Sequence, residues 1–196
     1  MEWDFINEIG RKIIHLLILL VLVVYFAIEA QAGKQIALLF LVGLLAFFLI
    51  LEYFRLELNW KMPFFSIFIR PKEQNRMYGI IFFLSATIIT LAVFDAAIAL
   101  AALLMTTFGD MAAAIFGKKY GATLIYKNKT IIGFFAGLIT NTLVAIIIAF
   151  ATSLNIYVPL IMAFTATAVE TLADELDDNL LVPIFAGFIG QVLKLI

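Results

Sequence analysis

The chain of 196 residues contains no cysteine and little charge, since only 14% of its residues are Asp, Glu, Lys or Arg. Without cysteine it cannot form disulfides, thiolate zinc sites or a cysteine nucleophile. The low charge excludes a disordered chain, because disordered chains are rich in charge and poor in apolar residues. Hydrophobic residues make up 65% of the chain, against about 45–50% in average soluble domains. A soluble enzyme is therefore excluded as well.

Long apolar stretches recur along the whole chain, and a membrane-spanning helix needs about 20 such residues. The first stretch is longer than the apolar core of a signal peptide and lacks a clear cleavage site, so we count it as a helix of the mature protein. We predict an all-α, polytopic integral membrane protein with about seven transmembrane helices, forming a single domain over residues 1–196. The candidate spans are Ile13–Ala30, Ile36–Tyr53, Gly79–Phe94, Ala96–Phe116, Thr130–Ser153, Val158–Leu172 and Leu180–Ile196.

Basic residues divide unevenly between the two faces that seven spans would create. The N-terminus and the loops 54–78, 117–129 and 173–179 would share one face, which then carries 11 of the 13 lysines and arginines. Basic residues favour cytoplasmic loops, so the N-terminus is predicted to be cytoplasmic. We expect the protein in the cell membrane of a prokaryote, with its active site on the cytoplasmic face.

An aspartate lies inside the predicted fourth helix. Asp110 precedes Gly117, where that helix is expected to end, by seven residues, which corresponds to roughly 10 Å. An ionisable residue at this depth is costly and is a functional-site candidate by default. Asp110, Ala113, Ala114 and Gly117 follow helical spacing and form a stripe of small residues. Such a stripe leaves room for a ligand, although close helix packing explains it equally well.

Two groups of basic residues are candidates for binding an anion. Arg11 and His15 lie four residues apart with Lys12 between them, so both could reach one anion; an anchor at the membrane surface is the alternative. The loop before the fifth helix carries lysines and glycines and leads into a helix N-terminus, which favours anions. Anionic lipids would also attract it. Its basic residues are Lys118, Lys119, Lys127 and Lys129.

An acidic group follows the sixth span. Glu170, Asp174, Asp177 and Asp178 would form one stripe if the sixth helix continued beyond the membrane. Asp178 and Asn179 are also plausible N-caps for the last helix. Hard oxygen ligands of this kind suit Mg²⁺ carried in with nucleotide phosphates. An intramembrane aspartate, a basic loop and an acidic stripe together indicate phosphoryl transfer to an acceptor dissolved in the bilayer.

These motifs resemble a known family. The string Gly109–Gly117, followed by Gly121, Asn128–Thr130 and Gly133, is similar to the signature of CTP-dependent polyprenol kinases, a family that includes dolichol kinase, phytol kinase and the CTP-dependent diacylglycerol kinases. Further similar segments are Arg11–His15, Glu52 with Arg55, Val169–Leu172, and Leu176–Leu180 with Pro183. Dolichol kinases usually carry an acid and a small hydroxyl where this chain has Ile132 and Phe134. The segment Tyr126–Thr130 looks more like the phytol kinase branch, which lacks that acid.

The resemblance implies transfer of the γ-phosphate of CTP to a membrane-dissolved isoprenoid alcohol. Taken with the residues, it assigns catalysis to Asp110, Lys129, Asp177 and Asp178, and Mg²⁺ binding to Asp110, Glu170, Asp174 and Asp178. Nucleotide binding is assigned to Arg11, Lys12, His15, Gly109, Gly117, Lys118, Lys119, Asn128, Thr130, Gly133 and Asn179.

Other activities and partners remain alternatives to this prediction. A CTP-dependent diacylglycerol kinase or a lipid cytidylyltransferase would use the same motifs, and a cation-coupled transporter would also carry a buried aspartate. We expect the bilayer, CTP and the lipid alcohol as partners, and no nucleic acid. The small-residue faces of the fourth and fifth helices could serve internal packing or a homodimer.

Overall fold

The computed structural model describes residues 18–58, 79–173 and 176–196, which form seven helices and one two-stranded hairpin. The chain divides into two compact units, Met1–Ile88 and Ile89–Ile196. The single domain expected over 1–196 stays a prediction. The helices are α1 (Ile18–Ala32), α2 (Lys34–Glu57), α3 (Gly79–Val93), α4 (Ala96–Tyr120), α5 (Ile131–Ala151), α6 (Tyr157–Leu172) and α7 (Asp178–Leu195), and the strands are β1 (Leu124–Tyr126) and β2 (Lys129–Thr130).

Among the described residues, four helices are long and apolar enough to cross a membrane, namely α2, α4, α5 and α7. The other three are apolar and shorter. This supports the predicted helical integral membrane protein, while the count of seven spans stays a prediction. The fourth helix is longer than expected, because it continues from Phe116 to Tyr120, and the seventh begins two residues earlier, at Asp178.

In the first unit, α1 and α2 are joined by a single residue, Gly33, whose φ of 89° lies in the left-handed region that favours glycine. Near the end of α2, Glu52 is buried and Arg55 donates to both of its carboxylate oxygens, at 2.8 and 2.6 Å. The two groups named together in the kinase resemblance therefore form an ion pair one helical turn apart.

The second unit is built on an antiparallel pair of helices, α4 and α5. Gly109 lies against Asn141. Eight residues later on α4, Gly117 lies against Gly133, which is eight residues earlier on α5. A Cβ added at Gly137 would be 3.4 Å from the Cβ of Ala113. The small-residue faces of these helices thus serve internal packing, and the homodimer that the sequence left open stays a prediction.

The helices α6 and α7 complete an up-and-down arrangement with α4 and α5. Asn141 on α5 bonds to Thr167 on α6, and a Cβ at Gly137, one turn earlier on α5, would lie 3.5 Å from Glu170 Oε2, one turn later on α6, so these two helices also run antiparallel. At the start of α4, the backbone N–H of Asp95 donates to the Gln191 side chain near the end of α7, at 2.9 Å. The hairpin, the end of α6 and the start of α7 therefore meet at one end of the unit, opposite Asp95.

The connection between α4 and α5 contains regular structure where the sequence suggested a loop. Residues 124–126 and 129–130 pair as antiparallel strands, and Lys127 takes a φ of 46° in the turn between them. This hairpin is the one departure, within the described residues, from the predicted all-α fold. It is short, and its strands lack the length that makes a strand visible in a hydrophobic pattern.

Candidate active site

Side chains from three elements converge on the ammonium group of Lys129. Lys129 is held by β2 and donates to Glu170 Oε1 on α6 at 2.8 Å. The same nitrogen lies 3.6 Å from Asp178 Oδ2 on α7. The side chain of Glu170 is 5% exposed, that of Asp178 23% and that of Lys129 32%, so these three groups are partly shielded from solvent. Two acids that are separated in sequence are thereby brought to one lysine.

The electrostatic balance of this cluster is negative. Burial by itself would lower the pKa of Lys129, but the charges of Glu170, Asp178 and Asp110 outweigh burial and raise that pKa above its ordinary value. Asp110, on α4, is therefore close enough to act on the same ammonium group. Three carboxylates face one cation, so the cluster attracts cations and would repel a bare triphosphate.

Below the cluster, Thr130 fills a space left by three glycines. Its hydroxyl accepts a hydrogen bond from Gly133 N at 3.1 Å and so caps the N-terminus of α5. A Cβ at Gly117 would lie 2.9 Å from the Thr130 hydroxyl oxygen, and a Cβ at Gly121 would lie closer still. The glycines assigned to nucleotide binding thus have a packing role, which brings the backbones of α4 and α5 together beneath Lys129.

The sequence suggested one acidic stripe along a continuous sixth helix, and the structure does not have it. The helix α6 ends at Leu172, and Ala173 takes an extended backbone, so the predicted stripe is broken. Asp177 rather than Asp178 or Asn179 is the N-cap of α7. Its Oδ1 accepts from Asn179 N at 3.0 Å and from Asn179 Nδ2 at 2.7 Å. Asp177 and Asn179 are paired with each other, whereas Asp178 points to Lys129.

Three further predicted binding residues are exposed and are not part of the cluster. Lys118 and Lys119 belong to the last turn of α4, where cations are favoured by the helix dipole. Asn128 lies in the exposed turn of the hairpin. The remaining predictions, Arg11, Lys12, His15 and Asp174, lie outside the described residues.

A family model described as the cytidylyltransferase family matches residues 5–174. The chain belongs to this family. The family includes the CTP-dependent polyprenol and diacylglycerol kinases, so the resemblance drawn from the motifs is confirmed. No curated protein and no solved structure matches the chain.

Membership in the cytidylyltransferase family favours an enzyme over the transporter considered from the sequence. It supports a transferase of the lipid-kinase or cytidylyltransferase type, with CTP as co-substrate. The matched residues end before α7. Asp178 is nevertheless placed at Lys129, so this family member completes its cluster with a residue beyond the matched region.

The carboxylates suit a divalent cation by their chemistry, since Mg²⁺ prefers carboxylate oxygens. Over the described ranges, no three histidine or acidic side chains stand close enough to form a ready metal site. Glu170 and Asp178 both turn toward Lys129 instead. The Mg²⁺ ligands assigned from the sequence therefore stay a prediction.

Sequence reasoning missed one polar pair in the apolar interior of this cytidylyltransferase family member. Asn141 on α5 is 2% exposed and donates from Nδ2 to Thr167 Oγ1 on α6 at 3.0 Å. The signal was present, because Asn141 interrupts a long apolar run, and a polar residue inside a membrane segment is rarely without a role.

Proposed function

We propose that the protein is a CTP-dependent lipid kinase, which transfers the γ-phosphate of CTP to the hydroxyl of a membrane-dissolved isoprenoid alcohol. One observation carries this proposal: Glu170 and Asp178 meet Lys129 at the end of an apolar helical unit, beside Asp110. A phosphoryl acceptor that is dissolved in lipid and a donor that is dissolved in water can meet only at such an end.

The residues of the cluster suit the parts of phosphoryl transfer. Lys129 is positioned to bind and orient the phosphate chain, and one of the neighbouring carboxylates accepts the proton of the attacking hydroxyl. The hydroxyl oxygen forms a bond to the γ-phosphorus, the bond between that phosphorus and the bridging oxygen breaks, and CDP leaves. Asp110, Glu170 and Asp178, with Asp174, would hold Mg²⁺ once Glu170 and Asp178 turn from Lys129 toward the ion. When bound, that ion would neutralise charge on the phosphates.

The excess of carboxylates is consistent with this assignment of roles. With three acids against one ammonium, the cluster gains from a further cation, and a nucleotide that arrives with its metal supplies one. The packing of Gly117 and Gly133 beneath Thr130 makes the platform that holds Lys129 rigid. Catalysis of this kind depends mostly on positioning and electrostatics, so no covalent nucleophile is needed.

The cytoplasmic face is proposed for the active site because of the charges at its end of the unit. Lys118, Lys119 and Lys127 are exposed near the cluster, whereas the opposite end carries Asp95 with Lys194. Lysine-rich ends of membrane proteins face the cytoplasm. The isoprenoid acceptor is proposed from the resemblance of residues 126–130 to the phytol kinase branch.

A lipid cytidylyltransferase is the second candidate, and the description of the matching family favours it. That reaction joins a lipid phosphate to the α-phosphorus of CTP and releases pyrophosphate, whereas the kinase releases CDP. A CTP-dependent diacylglycerol kinase would share the kinase chemistry with a different alcohol.

One assay separates the three activities. Detergent-purified protein is incubated with Mg²⁺, γ-labelled CTP or ATP, and separately with dolichol, phytol, geranylgeraniol, diacylglycerol or phosphatidic acid. Label in an isoprenoid phosphate from CTP is the expected result. Label in phosphatidic acid formed from diacylglycerol would identify diacylglycerol as the acceptor in place of an isoprenoid alcohol. Labelled pyrophosphate formed only with phosphatidic acid would establish the cytidylyltransferase. No product with any lipid would contradict the proposal.

A further inference from the structure

A buried polar side chain, that of Asn141, stands in the contact between α4 and α5. Along α5, Gly133, Gly137 and Asn141 recur every four residues and face α4. The first two have no side chain, and the third is fully buried against Gly109. A Cβ added at Gly109 would lie less than 3.0 Å from the Asn141 amide. Asn141 therefore occupies the space that the missing side chain of Gly109 leaves.

Smooth contacts between small residues bring helices close without fixing how far one slides along the other. Large side chains fix that register by fitting between neighbours, and glycine and alanine offer little for this purpose. A buried asparagine does so in another way, because its hydrogen bond is satisfied in one alignment only. Asn141 has such a bond, to Thr167 on α6.

The two amide atoms of Asn141 are used differently. Nδ2 donates to Thr167, while Oδ1 is buried and has no hydrogen-bond partner among the described residues. A buried acceptor without a partner destabilises a fold, and an apolar residue of similar size would avoid this. The position is therefore poorly explained by stability alone and better explained by alignment of the helices.

Both neighbours of Asn141 lead directly to the acidic cluster. Gly109 immediately precedes Asp110 on α4. Thr167 comes three residues before Glu170 on α6, and its carbonyl oxygen accepts from the Thr171 hydroxyl at 2.8 Å. A slide of α4 against α6 at Asn141 would displace the two carboxylates by the same amount relative to each other along the helix axes.

We propose that Asn141 is a positioning residue, which fixes the register of α4, α5 and α6 and thereby the separation of Asp110 and Glu170. It acts through Gly109 and Thr167 and touches no reacting atom. This inference rests on the proposed function only for its effect on catalysis. The register itself is a property of the fold and can be measured without substrate.

The absence of cysteine makes a direct measurement of the register simple. A pair of cysteines at Ala113→Cys and Gly137→Cys would be the only thiols in the chain, and the 3.4 Å between the two Cβ positions is close to the spacing of a disulfide, about 3.5–4.5 Å. We expect mild oxidation to cross-link this pair rapidly. Adding Asn141→Ala should slow the cross-linking at least fivefold, whereas adding Thr165→Val should leave it unchanged. A pair that never cross-links, or a rate that Asn141→Ala does not change, would overturn the proposal.

Kinetics test the consequence for catalysis. Thr167→Val keeps the shape of the side chain and removes the acceptor of Asn141, so we expect kcat to fall at least tenfold while KM for CTP changes less than twofold. Thr167→Ser restores the hydroxyl and should recover kcat to within threefold of the unchanged protein. Thr165→Val is the matched control, because the Thr165 hydroxyl donates to a backbone oxygen of its own helix, that of Ile161.

The cross-linking and the kinetics test different proposals, so their negative results can be told apart. If Thr165→Val lowers kcat as much as Thr167→Val does, or if Thr167→Ser gives no recovery, the positioning role is wrong. If the unchanged protein transfers no phosphate from CTP but the cross-linking responds as expected, the proposed function is wrong and the register assigned to Asn141 is retained.

Discussion

Substitution of Lys129 by methionine separates the structural and catalytic roles of the acidic cluster. The change keeps a long side chain and removes the positive charge, which leaves Glu170 and Asp178 without their shared partner. A hydrogen bond to a charged group contributes about 1.5–3 kcal/mol. Since Lys129 is about one third exposed, we expect the lower part of that range, a loss of ~1.5–2 kcal/mol in the free energy of unfolding.

The expected effect on catalysis is larger than the effect on stability. Loss of one preorganised group that stabilises developing charge typically lowers kcat by ~10²–10³. We therefore expect Lys129→Met to retain at most about 1% of the kcat for phosphate transfer from labelled CTP. Lys127→Met is the matched control, because Lys127 is exposed in the hairpin turn two residues away, and it should keep at least a third of kcat.

A double variant distinguishes the two effects. Lys129→Met combined with Glu170→Gln removes the more deeply buried of the two uncompensated charges, so most of the lost stability should return while activity stays low. Stability is followed by heating the detergent-solubilised protein and measuring the folded fraction by size-exclusion chromatography. Recovery of more than a tenth of the kcat in the double variant would refute the reasoning, since Lys129 would then be a structural counter-ion only.

Three further outcomes are expected. Asp110→Asn should fold normally and lose phosphate transfer, while Asp95→Asn, at the other end of the same helix, should stay active; equal activities would contradict the site. Gly133→Ala should lower the melting temperature, because its Cβ would lie 2.9 Å from a backbone oxygen of α4, whereas Gly137→Ala meets only ordinary contacts and should not. The raised pKa of Lys129 means that the ammonium contributes its share of the ion pair fully up to the ordinary value of 10.5, and that this share is lost only as the pH rises through the higher folded-state pKa. A fall in the stabilisation that Lys129 and Glu170 contribute together, measured from unfolding curves between pH 7 and 10, would contradict that assignment.

Much of the fold could be predicted because apolar length is the dominant signal in a membrane protein. The helix bounds follow the apolar runs closely, as in α6, which ends at Leu172 as expected. Errors occur at the polar ends, where hydropathy no longer decides. The last turn of α4 continues through Lys118 and Lys119 because cations are favourable at a helix C-terminus, a local effect that the hydrophobic pattern does not register.

The sequence indicated which residues belong to the candidate site better than it indicated how they are arranged. Asp110, Lys129, Glu170 and Asp178 were named from depth, charge and motif, and the structure places Glu170 and Asp178 each within 4 Å of the Lys129 ammonium, at 2.8 and 3.6 Å. The reasoning through a continuous acidic stripe was wrong, because the break after Leu172 had no proline or glycine to indicate it. Asp178 reaches Lys129 through the folding back of α7, which sequence spacing cannot show.

The hairpin between α4 and α5 has a consequence for biosynthesis. Contacts between these helices join residues 16 positions apart, at Gly117 and Gly133, to 32 apart, at Gly109 and Asn141. Contacts that are close in sequence form early in folding, so α4 and α5 can pair in the bilayer before α6 and α7 have been translated. At that stage the cluster itself consists of Asp110 and Lys129, one charge of each sign. Glu170, 41 residues after Lys129, and then Asp178 arrive with the last two helices, and each adds a negative charge to a lysine already in place. The nascent protein thus never has to insert the whole acidic cluster without its cation.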